Sequence, residues 1–401
     1  MNEYFKNLDN SLFDKYNVNI YRNNYDINDF IINNDSDEPF YLIDLGDIFK
    51  LFNNWINLMP NIKPFYAVKC NPNLAIIETL SFLGVSFDCA SEKEINTVLE
   101  ITKDPSRIIF ANPCKMISHL KYAKEKNVDL MTFDNEEELY KIKMYYPDAK
   151  IVLRLAVDES SSICKFNKKF GCYIGQVEEI LKIVSILGLN LIGLSFHVGS
   201  GCSSGDSFYS AIETCKQAKD IAKKLNFNIS LIDIGGGFPG NNQEKFNEIA
   251  QKIDLAINTF FYEEIQSKSI KFIAEPGRYF SEKSHTLILK VIGKKKNIDL
   301  SNNIIMIYYL NDGIYNSFNC IYFDHQNPTI IPFTINNNCM YPSILFGPTC
   351  DSLDLIKENI ILPELVIGDW LYVENFGAYT ISASSEFNGI KKPLNKYIFT
   401  N

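Results

Sequence analysis

IKPFYAVKCNPNLAIIETLSFLG, residues 62–84, sets the pattern for most of the chain. The apolar run IKPFYAV reads as a buried strand, CNPN supplies turn residues, and LAIIETLSFLG reads as a helix. Lys69 therefore stands at the carboxyl end of a strand, facing a strand-to-helix loop. A lysine in that position, partly desolvated, lowers its pKa and becomes a nucleophilic amine able to condense with a carbonyl. A solvated lysine closing a strand is the plain alternative.

Working outward, the same alternation repeats. Strand-like runs fall at 63–68, 85–88, 107–112, 130–134, 151–157, 192–198, 229–235 and 271–276, with amphipathic stretches such as QVEEILKIVSILG and KFNEIAQKIDLAINTFF between them. Eight strands alternating with helices predict an α/β fold, a closed (β/α)8 TIM-like barrel, over 37–280. From about 281 the helices disappear and closely spaced β-runs follow, among them TLILKVIGK, IIMIYYL, TIIPFTI and IILPELVIGDWLYVE. This predicts a β domain over 281–401. Residues 1–36 are too few for a core of their own and are expected to complete it.

The bulk properties bound the function. At 401 residues and 46% apolar the chain supports a large core. A net charge of -9 and no long basic run argue against nucleic acid as a partner, while small cations remain compatible. The polar N-terminal segment and the lack of any run of transmembrane length predict no membrane partner and a cytoplasmic location. Ten cysteines without paired or metal-like spacing read as reduced thiols, with no metal site.

In such a barrel the reactive groups follow the strands at their carboxyl ends. SFHVGSG after the sixth run carries His197 and Ser200. IDIGGGFPG after the seventh carries Gly235, Gly236 and Gly237, and AEPGRYF after the eighth carries Glu275, Gly277 and Arg278. Consecutive glycines let backbone N–H groups converge on an anion, and the loops after strands seven and eight commonly hold phosphate. A lysine, a carboxylate, an aromatic ring and a phosphate cradle together are what pyridoxal phosphate requires.

Through FYAVKCN, FDCAS, ANPCK, SFHVGSGC, IDIGGGFPG, AEPGRYF, DGIYNSFNCIYFDH, FGPTCDSLD and ENFGAYT, nearly the whole chain resembles the eukaryotic ornithine decarboxylases, fold-type III pyridoxal-phosphate enzymes with an alanine-racemase type of barrel. The resemblance implies decarboxylation of L-ornithine to putrescine in polyamine synthesis. It implies that Lys69 holds the cofactor, Asp88 orients that lysine, His197 stacks on the ring and Glu275 binds its nitrogen. Ser200, Gly237, Arg278 and Tyr379 would hold the phosphate. Cys350 would return a proton to Cα, Asp324 and Asp351 would bind the distal ammonium, and Phe387 would lie near the reacting carboxylate. It further implies a homodimer with shared active sites, in which Lys169 and Asp354 bridge subunits and Gly377 lies at the interface; residues 115–140 are similar in places to the stretch that binds antizyme in mammalian relatives, which makes antizyme a candidate partner.

Two departures bear on substrate affinity: Phe323 stands where the family often has tyrosine, and Ser352 where it often has glycine. The chain also stops soon after its last β-run, so control by a long C-terminal degradation tail is expected to be absent. Two other readings compete, a lysine or other basic amino-acid decarboxylase and a non-catalytic regulator resembling antizyme inhibitor. Asp351, in CDS rather than CES, favours a diamine-forming substrate, and the retained Lys69, Arg278, Tyr379, Cys350 and Asp351 favour an enzyme.

Overall fold

The computed structural model of the chain describes residues 10–22, 25–32, 36–298, 302–333 and 339–401. It divides into two units, residues 50–280 and residues 1–49 with 281–401.

In the first unit eight parallel strands close into a barrel. In order they are Ile62–Ala67, Ser86–Cys89, Ile108–Phe110, Leu130–Phe133, Lys150–Leu155, Asn190–Phe196, Leu231–Asp233 and Lys271–Ala274, and the last pairs with the first. The runs are short and apolar because both faces are covered. Alternating residues point inward, and Phe65, Ile109, Val152, Leu231 and Ile273 pack together as an apolar layer across the barrel interior.

The connecting helices start where side chains satisfy orphan N–H groups. Asn73 Oδ1 accepts from Ala75 N at 2.9 Å to cap Leu74–Phe82. Ser91 Oγ accepts from Glu94 N at 3.3 Å to cap Glu92–Thr102, and Asn135 Oδ1 from Glu138 N at 3.0 Å to cap Glu136–Tyr145. The sharp entry this gives each helix keeps the preceding strand end fixed.

The second unit is a nine-stranded sheet among the described residues. Its long strand His285–Ile298 pairs antiparallel with Phe40–Asp44, Ile304–Leu310 and Trp370–Val373. Leu394–Thr400 lies parallel to Phe40–Asp44 on one side and to Asn19–Tyr21 on the other. Phe30, Phe40, Leu42, Ile288 and Ile398 form one core cluster of this sheet. The boundary expected at 37 is therefore corrected: FYLID belongs to the sheet, where its backbone bonds are satisfied by His285–Ile288 and Leu394–Ile398, and the barrel unit starts near residue 50. Part of the run TIIPFTI, residues 334–335, and residues 1–9 lie outside the described residues.

Candidate active site

Lys69 sits in a one-turn 3-10 helix, Val68–Cys70, that follows the first barrel strand directly. Tyr66 Oη donates to Asn71 O at 2.9 Å, Asn71 Oδ1 accepts from Asn73 N at 3.1 Å, and Ala67 N donates to Pro276 O at 3.2 Å. The turn is thus tied to the loop after the eighth strand. The Lys69 Nζ forms an ion pair with Asp88 Oδ2 on the second strand. Asp88 is fully buried whereas the lysine side chain is 40% exposed, so the amine is anchored yet reachable. Asp88 Oδ1 is buried without a hydrogen-bond partner, a spare acceptor beside the amine.

His197 follows the sixth strand. Its Nδ1 accepts from Gly199 N at 2.9 Å and its ring meets Phe166 edge-on, with centroids 5.0 Å apart. Burial, then Arg154 and Lys69, hold its pKa well below the usual range, so the imidazole is neutral. Gly236 lies against it: a Cβ there would stand 2.9 Å from His197 Nε2 and 2.7 Å from Glu275 O. Gly237, at φ 106°, adopts a backbone that side-chain-bearing residues rarely take.

Glu275 continues the eighth strand, with its N–H donating to Gly235 O at 2.7 Å. Burial pushes its carboxyl well up, reinforced by the neighbouring carboxylates Asp233 and Asp88. Three residues on, Arg278 Nη2 donates to Ser200 Oγ at 3.3 Å, both groups buried. The aromatic pair after the arginine anchors it. Tyr279 Oη donates to Leu51 O at 2.9 Å, and Tyr279 and Phe280 both pack on Trp55. One end of the barrel therefore gathers an amine, buried carboxyls, a neutral imidazole, an arginine–serine pair and glycines that keep the space clear. These groups fit pyridoxal phosphate: the acid suits its ring nitrogen and the arginine, serine and Cβ-free loops its phosphate.

The β unit carries the other expected residues. Cys350 is exposed, with its N–H donating to Asn388 Oδ1 at 2.9 Å. Asp351 accepts from Leu353 N at 3.0 Å and from the Tyr315 hydroxyl, which together hold its carboxyl below the usual range. Phe387 stacks on Tyr315 with centroids 4.4 Å apart. A cavity of about 430 Å³ lined in part by Tyr315, Tyr322, Phe323 and Leu353 opens beside them. Asp324 is buried and accepts from Gln326 Nε2 at 2.8 Å. Tyr379 has φ 56°, uncommon for a residue with a side chain.

The three residues expected at a subunit interface behave differently. Lys169 lines a cavity of about 640 Å³ in the barrel unit. Asp354 is buried in the β unit, where it accepts from Ile314 N at 2.7 Å and from Thr349 N and Oγ1 at 2.9 and 2.7 Å. It staples its own loop, and a lysine from elsewhere would be an added partner. Gly377 is buried as well: a Cβ would stand 1.8 Å from Ser281 O and 2.5 Å from His285 Nδ1, so the missing side chain is required within the unit. Sequence reading missed Arg154, Asp233 and Tyr315, each of which faces a residue that it singled out.

Residues 45–282 match the family described as pyridoxal-dependent decarboxylase, pyridoxal binding domain. The chain belongs to this family. Among curated relatives of this pyridoxal-dependent decarboxylase, a probable ornithine decarboxylase of Dictyostelium discoideum is 46% identical over 89% of this chain and 78% of its own length. Ornithine decarboxylase of Rattus norvegicus is 41% identical over 92% and 82%, and antizyme inhibitor 2 of Xenopus laevis is 43% identical over 88% and 80%. The crystal structure of Paramecium bursaria Chlorella virus arginine decarboxylase bound to agmatine superposes with a TM-score of 0.86 at 34% identity, covering 94% of this chain and 99% of that one. The decarboxylase fold is thus a (β/α)8 barrel with a separate β unit. No helix among the described residues is long and apolar enough to cross a membrane.

Proposed function

We propose that this pyridoxal-dependent decarboxylase converts L-ornithine to putrescine and carbon dioxide, the first step of polyamine synthesis. The observation that carries the reading is Lys69 anchored on buried Asp88 at the barrel mouth, in a chain whose β unit keeps Cys350 and two acids, Asp324 and Asp351.

Pyridoxal phosphate supplies the electron sink that lets the bond from Cα to the carboxylate break. Lys69 is the covalent anchor for it, and Asp88 keeps the amine aimed. His197, neutral, offers an uncharged ring face for stacking, and Glu275 holds the ring nitrogen. Ser200, Gly235, Gly236, Gly237, Gly277, Arg278 and Tyr379 hold the phosphate. The two acids bind the distal ammonium, Phe387 lines the side from which carbon dioxide leaves, and Cys350 Sγ delivers a proton to Cα afterwards. The working enzyme is a cytoplasmic homodimer in which Cys350 and Asp351 serve the barrel of the mate, with Lys169, Asp354 and Gly377 supporting the contact. Antizyme is a candidate partner for the exposed side chains within 115–140.

Acids that face an ammonium suit diamine-forming substrates, and one methylene is worth about 1–3 kcal/mol in a shaped pocket. Ornithine should therefore exceed lysine in kcat/KM by at least about tenfold, with arginine lower still. Steady-state kinetics on the three amino acids decide it: parity or a lysine preference overturns the substrate and leaves the cofactor chemistry intact. No turnover of any of them, with cofactor bound, would favour the regulator resembling antizyme inhibitor.

A further inference from the structure

Asp233 is an acid at the mouth of the barrel that has not yet been given a role. It ends the seventh strand, fully buried, and its Oδ1 accepts from Gly235 N at 2.9 Å. Strand alternation places it two residues above Leu231, just as Glu275 lies two above Ile273 and Arg154 two above Val152. Leu231, Ile273 and Val152 all belong to the apolar interior layer. Charged side chains therefore follow it towards the mouth. Backbone register runs from Arg154 to Ser195, to Asp233 and on to Ile273, so that Glu275, two residues beyond Ile273, lies one step nearer the mouth than Asp233.

We propose that Asp233 is a positioning residue for Glu275, holding the glutamate carboxyl across the barrel mouth through a shared proton while Arg154 carries the balancing charge. The inference rests on the assignment of Glu275 to the ring nitrogen. Asp233 Oδ2 is buried with no hydrogen-bond partner, and neighbouring carboxyls in a buried site cannot both ionise at low cost. The surroundings fit that state. Asp88 adds a third acid, Lys69 is paired with Asp88, and Arg154 lies within electrostatic reach of Glu275, Asp134, Glu159 and Asp233 without an ion pair to any of them. Burial raises the Asp233 carboxyl to about 7 and the Glu275 carboxyl well up, the pattern of a pair that keeps one proton near neutrality. Gly235, whose N–H fixes Asp233, also accepts the Glu275 N–H through its carbonyl, so the glycine loop sets both acids at once.

The test uses the full-length protein stripped of cofactor and titrated with pyridoxal phosphate, followed by protein fluorescence. Asp233→Ala is expected to weaken cofactor binding about tenfold, the size of losing one hydrogen bond between charged groups. Asp233→Asn keeps the shape and a hydrogen bond to Glu275, so it should bind within about threefold of wild type. Added to Glu275→Gln, Asp233→Ala should produce no further loss, because Asp233 acts through that side chain. Infrared spectra of the stripped protein at neutral pH should contain a protonated-carboxyl band that is absent from both Asp233→Asn and Glu275→Gln. Undiminished binding by Asp233→Ala, an equal loss in both backgrounds, or a band that survives in Asp233→Asn overturns the inference. If Asp233→Ala does not fold, the isosteric Asn variant and its band carry the test alone. Glu275→Gln binding cofactor as tightly as wild type would instead overturn the assignment of Glu275, which separates the two failures.

Discussion

Lys69 pairs with the fully buried Asp88 while its own side chain stays 40% exposed, and covalent attachment of a carbonyl cofactor needs a reachable primary amine. Lys69→Ala should therefore leave no cofactor bound through borohydride reduction and lower turnover by about 10³-fold or more. Mass spectrometry of the reduced protein checks the first point: a lysine-linked adduct elsewhere in the Ala variant would move the anchor to another residue. Lys69 was legible in the sequence because a charged group breaking off an apolar run is conspicuous. Asp354 and Gly377 were legible only as motif letters, since whether a carboxylate is used inside its own loop depends on Ile314 and Thr349, distant in the chain.

At the scale of single elements, the barrel strands could be read to within a few residues because both of their faces are apolar and their turns are marked by Gly, Pro and Asn. Arg154 inside IVLRLAV and Asp233 inside ISLIDIG read only as polar interruptions. Their meaning comes from inward alternation on neighbouring strands, which requires the register. The long strand of the β unit supplies a testable case of its own. His285 opens it, fully buried, with Nδ1 2.9 Å from Ser284 Oγ and its ring edge-on to Tyr41 at 5.6 Å. Burial lowers its pKa to about 3, so the unfolded chain takes up the proton first as the pH falls. Its contribution to stability is whole above the ordinary histidine range near pH 6.5, and it is lost between there and about pH 3. The limiting slope is about 1.4 kcal/mol per pH unit. His285→Gln should be less stable than wild type at pH 8 but lose less on acidification. Urea denaturation across this range measures the difference, in which carboxylates common to both proteins cancel; parallel slopes would mean that His285 titrates normally in the folded state.

For the whole molecule, the decisive fact is that Lys69 and Cys350 belong to different units of the chain, the barrel and the sheet. In a two-fold homodimer each sheet unit can serve the barrel of its mate, which produces two equivalent composite sites. In such a dimer Lys69→Ala and Cys350→Ala should each disable both sites of their own homodimer. After random exchange about half of the dimers are mixed, and in each of those one site carries both lesions while the other carries none. Mixing the two inactive proteins should therefore restore about a quarter of wild-type activity by this combinatorial argument. Exchange is followed independently, by native mass spectrometry of differently tagged subunits, so that a negative result has meaning. With exchange complete, an unrestored mixture shows that each chain builds its site from its own lysine and cysteine. Full specific activity at dilutions where only monomer is present leads to the same conclusion, because a site completed by a mate must disappear with the mate.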